Sequence, residues 1–514
     1  MVLSVVVAAT ILIAAAAAWG CRGAWKDWSR GDRVRAVLAV AALFGLLFTS
    51  AYAIARTQSD FWSFIRLMPS VALTRGYALY YPDGEGPLLG WSYGPVAPLL
   101  QLPVAALPHP AAALTGAALL NTAMLLLPLL FAIWRAMPPG AAHRISGVLI
   151  LAALHAILLH LVPSQYWLRG VQVDAFAMGL WLLGIVVLLG ADPAGRRRVW
   201  VAALLFIASM FSKHNEVLLA PIPVLFVWAR EGRAAALRLA LAMAVLGAAA
   251  LLLCIAAWGW SAVHLNLWRV PAGHPWAKPG LVGLAEAARR FFDLANLLLA
   301  GVAALAVLDL RLEPRGGIRE RILARPWLLP AAASLMIVPV SLINWIKVGG
   351  ADNVFHGVYF LAAAAGMIAG RWMAADRPAG IRAALTVAVA AAALTGTILA
   401  DRGPAPLDEQ FLRSRLMREY EFAKAHPGEV WLGTNPLATL YTDRKAYHHG
   451  YGVYDRTLPK LPPSPEHLRA FLPAKLRWAS SPGSPFWMPE NVTPIAPPPG
   501  LEDSAWYERS PAGP

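Results

Sequence analysis

Residues 58–81 read QSDFWSFIRLMPSVALTRGYALYY, followed by PDGEG at 82–86 and GWSYGP at 90–95. Phe61, Phe64, Ile65, Met68, Val71 and Ala72 recur every three or four residues, which is the spacing of an amphipathic helix. Set between apolar runs, such a helix is expected to lie along the membrane surface. Asp60 stands immediately before it. Read by spacing alone, Asp60 is as well suited to cap the helix as to do chemistry, because a carboxylate there accepts the first unpaired backbone N–H groups. The next run, 94–108, carries Pro95, Pro98, Pro103 and Pro108. Proline at that density breaks a plain spanning helix, so this segment reads as re-entrant or interfacial.

The flanking sequence makes the setting a membrane. Of 514 residues 58% are hydrophobic and 14% charged, far below the roughly 25% charged share of soluble domains; this excludes disorder and argues against a single water-soluble enzyme. Apolar runs that approach or reach the roughly 20 residues needed to cross a bilayer fall at 2–19, 36–54, 111–134, 145–162, 174–190, 199–212, 217–229, 235–258, 294–310, 327–345, 355–373 and 381–399. The fold class is therefore all-α and polytopic, with about 12 transmembrane helices. The runs 199–212 and 217–229 are short and separated only by residues 213–216, so they are either tilted helices or one broken element. The first run lacks the basic start of a signal peptide. The two cysteines, Cys21 and Cys254, lie too far apart in the chain to suggest a disulfide framework or a thiolate metal site.

A net charge of +15 would suit nucleic acid, but its placement points elsewhere. Six alternate loops hold 21 Lys and Arg, against 10 in the longer opposite loops. By the positive-inside rule the first set is cytoplasmic, which puts residues 55–93 and everything after residue 400 outside. The tail holds 13 basic and 13 acidic residues, so the whole excess belongs to the membrane half and no nucleic-acid partner is implied. Residues 1–400 read as the membrane domain. Residues 401–514 read as a small α+β extracytoplasmic domain, helical around 411–425 and strand-like at 429–432, with a Pro-rich extension from Pro459 onward. The triplet Asn491-Val492-Thr493 matches a glycosylation pattern at chance frequency.

Ionisable residues at membrane depth are costly and usually line a cavity or pathway. Here they gather at the outer ends of the spans. LRGVQVDAF at 168–176 places Arg169, Gln172 and Asp174 together, either as an interfacial ion pair or as part of a site. FSKHNEV at 211–217 packs Lys213, His214, Asn215 and Glu216 into one turn, either a solvated connector or a receptor for an anion such as phosphate. KVGGADNVFHG at 347–357 brings Lys347, Asp352, Asn353 and His356 behind a Gly-Gly turn that lets backbone approach a ligand. His264, His274, Arg269 and Lys278 lack ligand spacing and read as surface groups. No phosphate-binding Gly loop, zinc helix or nucleophile elbow is present in a credible context.

An early Asp, an amphipathic helix and a Tyr-rich stretch in the first outer loop, followed in order by LRGVQVDAFAMGLWLLG, FSKHNEVLLAPIPV and KVGGADNVFHGVYFLAAAAG, resemble the GT-C superfamily of polyprenyl-phosphate-sugar-dependent glycosyltransferases. These are membrane enzymes of the protein mannosyltransferase, aminoarabinose transferase and oligosaccharyltransferase type. The likeness spans roughly residues 55–370. It implies a GT-C-like fold and transfer of a sugar, with inversion, from a lipid-linked donor to a lipid, envelope-glycan or protein hydroxyl outside a bacterial inner membrane. On this resemblance Asp60 is the general base and Asp174 orients a partner. Lys213, Arg169, Lys347 and His356 receive the leaving phosphate, and Tyr80, Tyr81, Trp91, Tyr93, His214 and Asn353 line the sugar or acceptor. A divalent cation, Mg or Mn, would have only Asp60 and Asp174 from separate loops as carboxylate ligands. Two rivals remain at this level: a transporter or flippase, which expects charges near the bilayer midplane and inverted repeats, and a scaffold whose tail binds a partner.

Overall fold

A computed structural model describes residues 61–137, 170–190, 196–278, 280–312, 324–371, 409–481, 488–499 and 505–509, with scattered positions elsewhere. The expected spans at 2–19 and 381–399 lie outside the described residues, as do most of 36–54 and 145–162. Among the described residues three helices are long and apolar enough to cross a membrane: Pro110–Ala136, Arg233–Trp258 and Leu328–Trp345. A fourth, Gly280–Leu312, qualifies as a pair of halves that meet at a 70° bend.

In chain order, α1 is Phe61–Thr74, α2 Val96–Leu100, α3 Leu102–Ala105, α4 Pro110–Ala136, α5 Val173–Leu188 and α6 Arg196–Met210. Next come α7 (Pro221–Glu231), α8 (Arg233–Trp258), α9 (Trp260–His264), α10 (Gly280–Leu312), α11 (Leu328–Trp345) and α12 (His356–Ala369). The Pro-rich run is two short helices, α2 and α3, as its prolines imply. The expected span at 217–229 is shorter than the sequence suggests. Residues 217–219 belong to a 3-10 turn, His214–Leu219, and α7 has 11 residues, only about 16 Å of rise. Gly232 (φ 90°) and Gly259 (φ 80°) bracket α8, supplying backbone angles that other residues rarely adopt.

The run at 355–373 contains α12, which is 14 residues long and buried at every position; among the described residues it is a core helix. Its Ala- and Gly-rich sequence is the reason. A Cβ at Gly357 would stand 3.1 Å from Ile337, and one at Gly366 3.0 Å from Val302, so small residues let α10 and α11 close against it. The same device joins α5 to its neighbours α4 and α6: a Cβ at Gly179 would meet Met124 O at 2.2 Å, and one at Gly184 would meet Phe206 at 2.5 Å. At the basic ends the chains are pinned by Arg198–Glu231 at 2.5 Å and Arg371–Asp309 at 2.9 Å, with Trp327 donating to Asp309.

α1 forms where the hydrophobic spacing places it, but not as a surface helix. Residues 63–72 are all buried, because the chain beyond residue 409 closes over it. There, α13 (Glu409–Ala425), α14 (Pro436–Thr442), α15 (Gly450–Thr457) and α16 (Pro465–Ala470) accompany a four-stranded sheet. Its strands are β1 (Val430–Leu432), β2 (Trp478–Ser480), β3 (Val492–Ile495) and β4 (Trp506–Arg509). The strand order is β1-β2-β4-β3, parallel for the first pair and antiparallel for the others. Three of the four strands come from the Pro-rich segment expected to be an extended wrap. Pro494 is tolerated because β3 is an edge strand.

The seam between the first loop and this region is dense. Gly452 crosses Gly90 (φ 62°) so closely that a Cβ on Gly452 would stand 2.6 Å from Leu88 O and 2.7 Å from Gly90 N. The Leu88 N–H donates to His448 Nδ1 at 3.0 Å, while the His449 N–H donates to Leu88 O at 3.1 Å. His467 Nε2 donates to Gly86 O at 2.7 Å, and Arg456 pairs with Asp83 at 2.5 Å. Accepting from Leu88 requires a neutral His448 with its proton on Nε2, which faces His467 O at 3.0 Å. Burial pushes His448 down to about 4 and His449 down to about 3.

Both histidines therefore favour the docked state at neutral pH. Their contribution is complete above the ordinary histidine range and declines as pH falls below about 6.5 toward those depressed values. Hydrogen exchange across residues 82–90 should accelerate between pH 7 and pH 5. His448→Ala should lose about 1–3 kcal/mol of local protection at pH 7 and blunt that dependence.

Candidate active site

α5 begins at Val173 directly after an extended Gln172, and two buried side chains hold that entry. The Val171 N–H donates to Ser63 Oγ of α1 at 2.9 Å, and the Gln172 N–H donates to Asn121 Oδ1 of α4 at 3.0 Å. Asp174, in the first turn of α5, thereby faces the turn that follows α6. Lys213 reaches it with Nζ–Oδ1 at 2.5 Å, and both side chains are at least nine-tenths buried. Removing two charges from water costs several kcal/mol each unless geometry and further hydrogen bonds compensate, so this pair has tightly defined surroundings.

The surroundings come from the first loop. The segment 90–95 lies directly on the end of α6: a Cβ at Gly94 would be 1.9 Å from Phe211 O, and the Val96 N–H donates to that oxygen at 3.1 Å. This seats Tyr93 against His214, the rings stacked with centroids 6.3 Å apart, and Trp91 edge-on to Tyr93 at 5.5 Å. Tyr80 donates its hydroxyl to Tyr93 O at 2.5 Å and meets Trp258 edge-on. Burial, then the Lys213 charge, push His214 down to about 4, so it serves as a neutral ring.

Three residues join this place without having been assigned a role from sequence. Arg66 of α1 donates to Tyr93 Oη at 3.3 Å and lies 4.7 Å above that ring. Its Nε is buried and has no hydrogen-bond partner among the described residues. Burial opposes its charge, but the fields of Tyr93, Tyr451, Asp174 and Asp455 raise its pKa further. Tyr451 of α15 meets Trp62 edge-on at 5.0 Å and stands beside His449; burial keeps its hydroxyl protonated. Glu216 is buried, its Oε2 without a hydrogen-bond partner among the described residues. Burial, with Lys213 opposing and Asp174 assisting, pushes it up to about 7. A signal for Arg66 was present: Ser63, Arg66 and Ser70 form a polar stripe at helical spacing on a helix read only for its apolar one. The HHGYGVYD run at 448–455 carried no motif.

The placement of the other expected residues is mixed. His356, at the start of α12, is fully buried and within electrostatic range of Asp174. Lys347 forms a bridge with Trp276, its Nζ 5.3 Å above that ring and 3.4 Å from Ala272 O; among the described residues these contacts turn it to the 272–276 segment and not to Asp174. Gly349 behind it approaches both His274 and Tyr451, so the Gly-Gly turn does come close to the site. Asn353 lies in a short 3-10 turn, Asp352–Phe355, whose Asp352 is taken by Arg290 at 2.6 Å. His274 is no surface group; it faces Asp455 at 3.2 Å, because α15 folds down onto the 260–273 segment. Asp60 and Arg169 lie outside the described residues. Among the described residues no three His, Cys, Asp or Glu converge as metal ligands, and Asp174 is held by Lys213.

With this geometry in place, comparison with known proteins is informative at the level of fold. No family model and no curated protein matches the chain. Among solved structures it is similar to the ArnT of Cupriavidus metallidurans, in a crystal structure bound to undecaprenyl phosphate. The TM-score is 0.55 at 12% identity, covering 95% of this chain and all of that one. Two structures of an Archaeoglobus fulgidus oligosaccharyltransferase, one apo and one tethered to an acceptor peptide, match over 86% of this chain and 69% of theirs at TM-scores of 0.42 and 0.43, again at 12% identity. The chain is a multi-pass membrane protein with an ArnT-like fold.

Charge balance in the cluster depends on Glu216. Below about pH 7 Glu216 is neutral, and Arg66 with Lys213 outweighs Asp174; above it the four groups cancel. A phosphodiester monoanion, which does not itself titrate near neutrality, should therefore bind about tenfold more weakly at pH 8 than at pH 6. Glu216→Gln should flatten that profile in equilibrium binding.

Proposed function

We propose that this protein is an integral-membrane glycosyltransferase. It moves a sugar from a polyprenyl-phosphate-linked donor to an acceptor hydroxyl, with inversion, at the periplasmic face of a bacterial inner membrane. The observation that supports this best is the buried, water-excluded cluster of Asp174, Lys213, Glu216, Arg66 and His356, set beneath a first outer loop in a chain with an ArnT-like fold. Such a cluster at the outer ends of apolar helices suits a donor whose prenyl chain stays in the bilayer while its phosphate reaches the interface.

In this reading Asp60, adjacent in sequence to α1, takes the proton from the acceptor hydroxyl as that oxygen attacks the anomeric carbon. The new carbon–oxygen bond forms on one face while the bond to the phosphate oxygen breaks on the other. Polyprenyl phosphate departs with the electron pair. Its charge is met by fixed cations that need no reorganisation at that moment: Arg66 through its unpartnered Nε, and Lys213, shared with Asp174. His356 adds a donor, and Arg169 and Lys347 are further candidates. Tyr80, Trp91, Tyr93 and His214 form the wall against which the donor sugar packs.

Asp60→Asn should reduce transfer by a factor of about 10²–10⁴ while leaving the protein inserted and folded; full activity in that variant would return Asp60 to a capping role. Lys213→Ala should weaken use of the phosphate-linked donor and also strand the buried Asp174 carboxylate, at a cost of about 3–5 kcal/mol. Pairing Lys213→Ala with Asp174→Ala should recover much of the melting temperature and none of the transfer, as read by release of polyprenyl phosphate.

A further inference from the structure

A cleft opens between the first loop, the 260–272 segment and α15, lined in part by Tyr81, Trp91, Ser92, Asn266, Asp455 and Arg456. The close crossing of Gly90 and Gly452 forms part of its wall, so its shape is set by backbone. Its polar groups are fixed in place. Asn266 gives both amide hydrogens away, to Tyr81 O at 3.0 Å and Ala262 O at 2.9 Å, which orients its carbonyl oxygen. Arg456 is buried and directed at Asp83, yet its Nε has no hydrogen-bond partner among the described residues. Asp455 is buried and faces His274 at 3.2 Å.

Arg456 is offset by Asp83, and Asp455 faces His274, a ring that carries charge only when protonated. The cleft therefore presents no net positive field, which distinguishes it from the Asp174 cluster and disfavours an anionic ligand. What remains is a carboxylate, a carboxamide oxygen, a guanidinium N–H and a hydroxyl beside two aromatic rings. This set matches the alternating hydroxyl donors and acceptors, and the apolar C–H face, of a neutral sugar ring. The cleft also adjoins the cluster, since Arg66 lies within electrostatic range of both Asp455 and Asp174.

We propose that this cleft is the acceptor subsite and that it takes an uncharged carbohydrate, so that the acceptor hydroxyl is presented by a glycan and not by a peptide or a phosphorylated headgroup. The assignment rests on the transferase reading for the word acceptor, but binding itself does not need turnover. The test is saturation-transfer NMR on the full-length, detergent-solubilised protein. The probes are the methyl glycosides of mannose, galactose, glucose, N-acetylglucosamine and arabinose, with dimethyl phosphate and a serine-containing tripeptide as comparison ligands. Binding of polyprenyl phosphate is measured on the same preparation.

The expected result is transfer to at least one glycoside and to neither comparison ligand at the cleft, reduced about fivefold or more by Asn266→Ala and by Asp455→Asn in proteins of unchanged melting temperature. If Asp455→Asn unfolds the α15 seam, Asn266→Ala alone decides. No glycoside signal from a wild type that binds polyprenyl phosphate overturns the cleft and leaves the donor site standing. Glycoside signals unaffected by either substitution, or a tripeptide signal lost with them, also overturn it. Glycoside signals that both substitutions remove, from a protein that binds no polyprenyl phosphate, uphold the cleft as a carbohydrate site and defeat the donor reading.

Discussion

The contact on which the outer half of this protein depends is the buried pair of Asp174 and Lys213. Neither charge is tolerable alone at that depth, because an unpaired ion in a low-dielectric interior costs more than most single contacts recover. The start of α5 and the turn after α6 must therefore meet in one register. That register fixes Phe211 O, on which the backbone of Gly94 and Val96 rests. Through Gly94 it fixes Tyr93, and through Tyr93 the Arg66 guanidinium. A hydrophobic pair of the same volume could hold two helices together as well. It would not hold a second cation and a titrating carboxyl beside them.

The region beyond residue 409 takes on a different meaning once its position is known. It covers α1, receives the backbone of residues 86–90 through His448, His449 and His467, and supplies Tyr451 and Asp455 to the space above Arg66. A small sheet with four short strands has little core of its own. Its stability is shared with the membrane half through α14 and Tyr441, whose hydroxyl donates to Ala105 O and Leu107 O. Residues 83–90 of the first loop are thus held by the same region that shapes the neighbouring cleft.

The buried ionic groups of the described residues fall mainly in two sets, one beneath the first outer loop and one at the basic ends near Arg198, Glu231, Asp309 and Arg371. The second set ties helix ends together with short, mutually satisfied contacts.

Composition and periodicity alone determined that this chain is a polytopic helical membrane protein with its basic loops on one side, because hydropathy and the placement of Lys and Arg act locally and additively. The amphipathic stripe of α1, the interrupted Pro-rich run after it and the strand at 430–432 were legible for the same reason, and so was the polar crowding around Asp174, Lys213 and His356. Only the tertiary structure decided that α12 is a core helix, that α1 is roofed over, that His274 faces Asp455, and that Arg66, Glu216 and Tyr451 share one place with Asp174. These are pairings across tens to hundreds of residues, set by close backbone approach at Gly94, Gly357, Gly366 and Gly452. A glycine in a sequence signals that a neighbour can come near, but not which neighbour does.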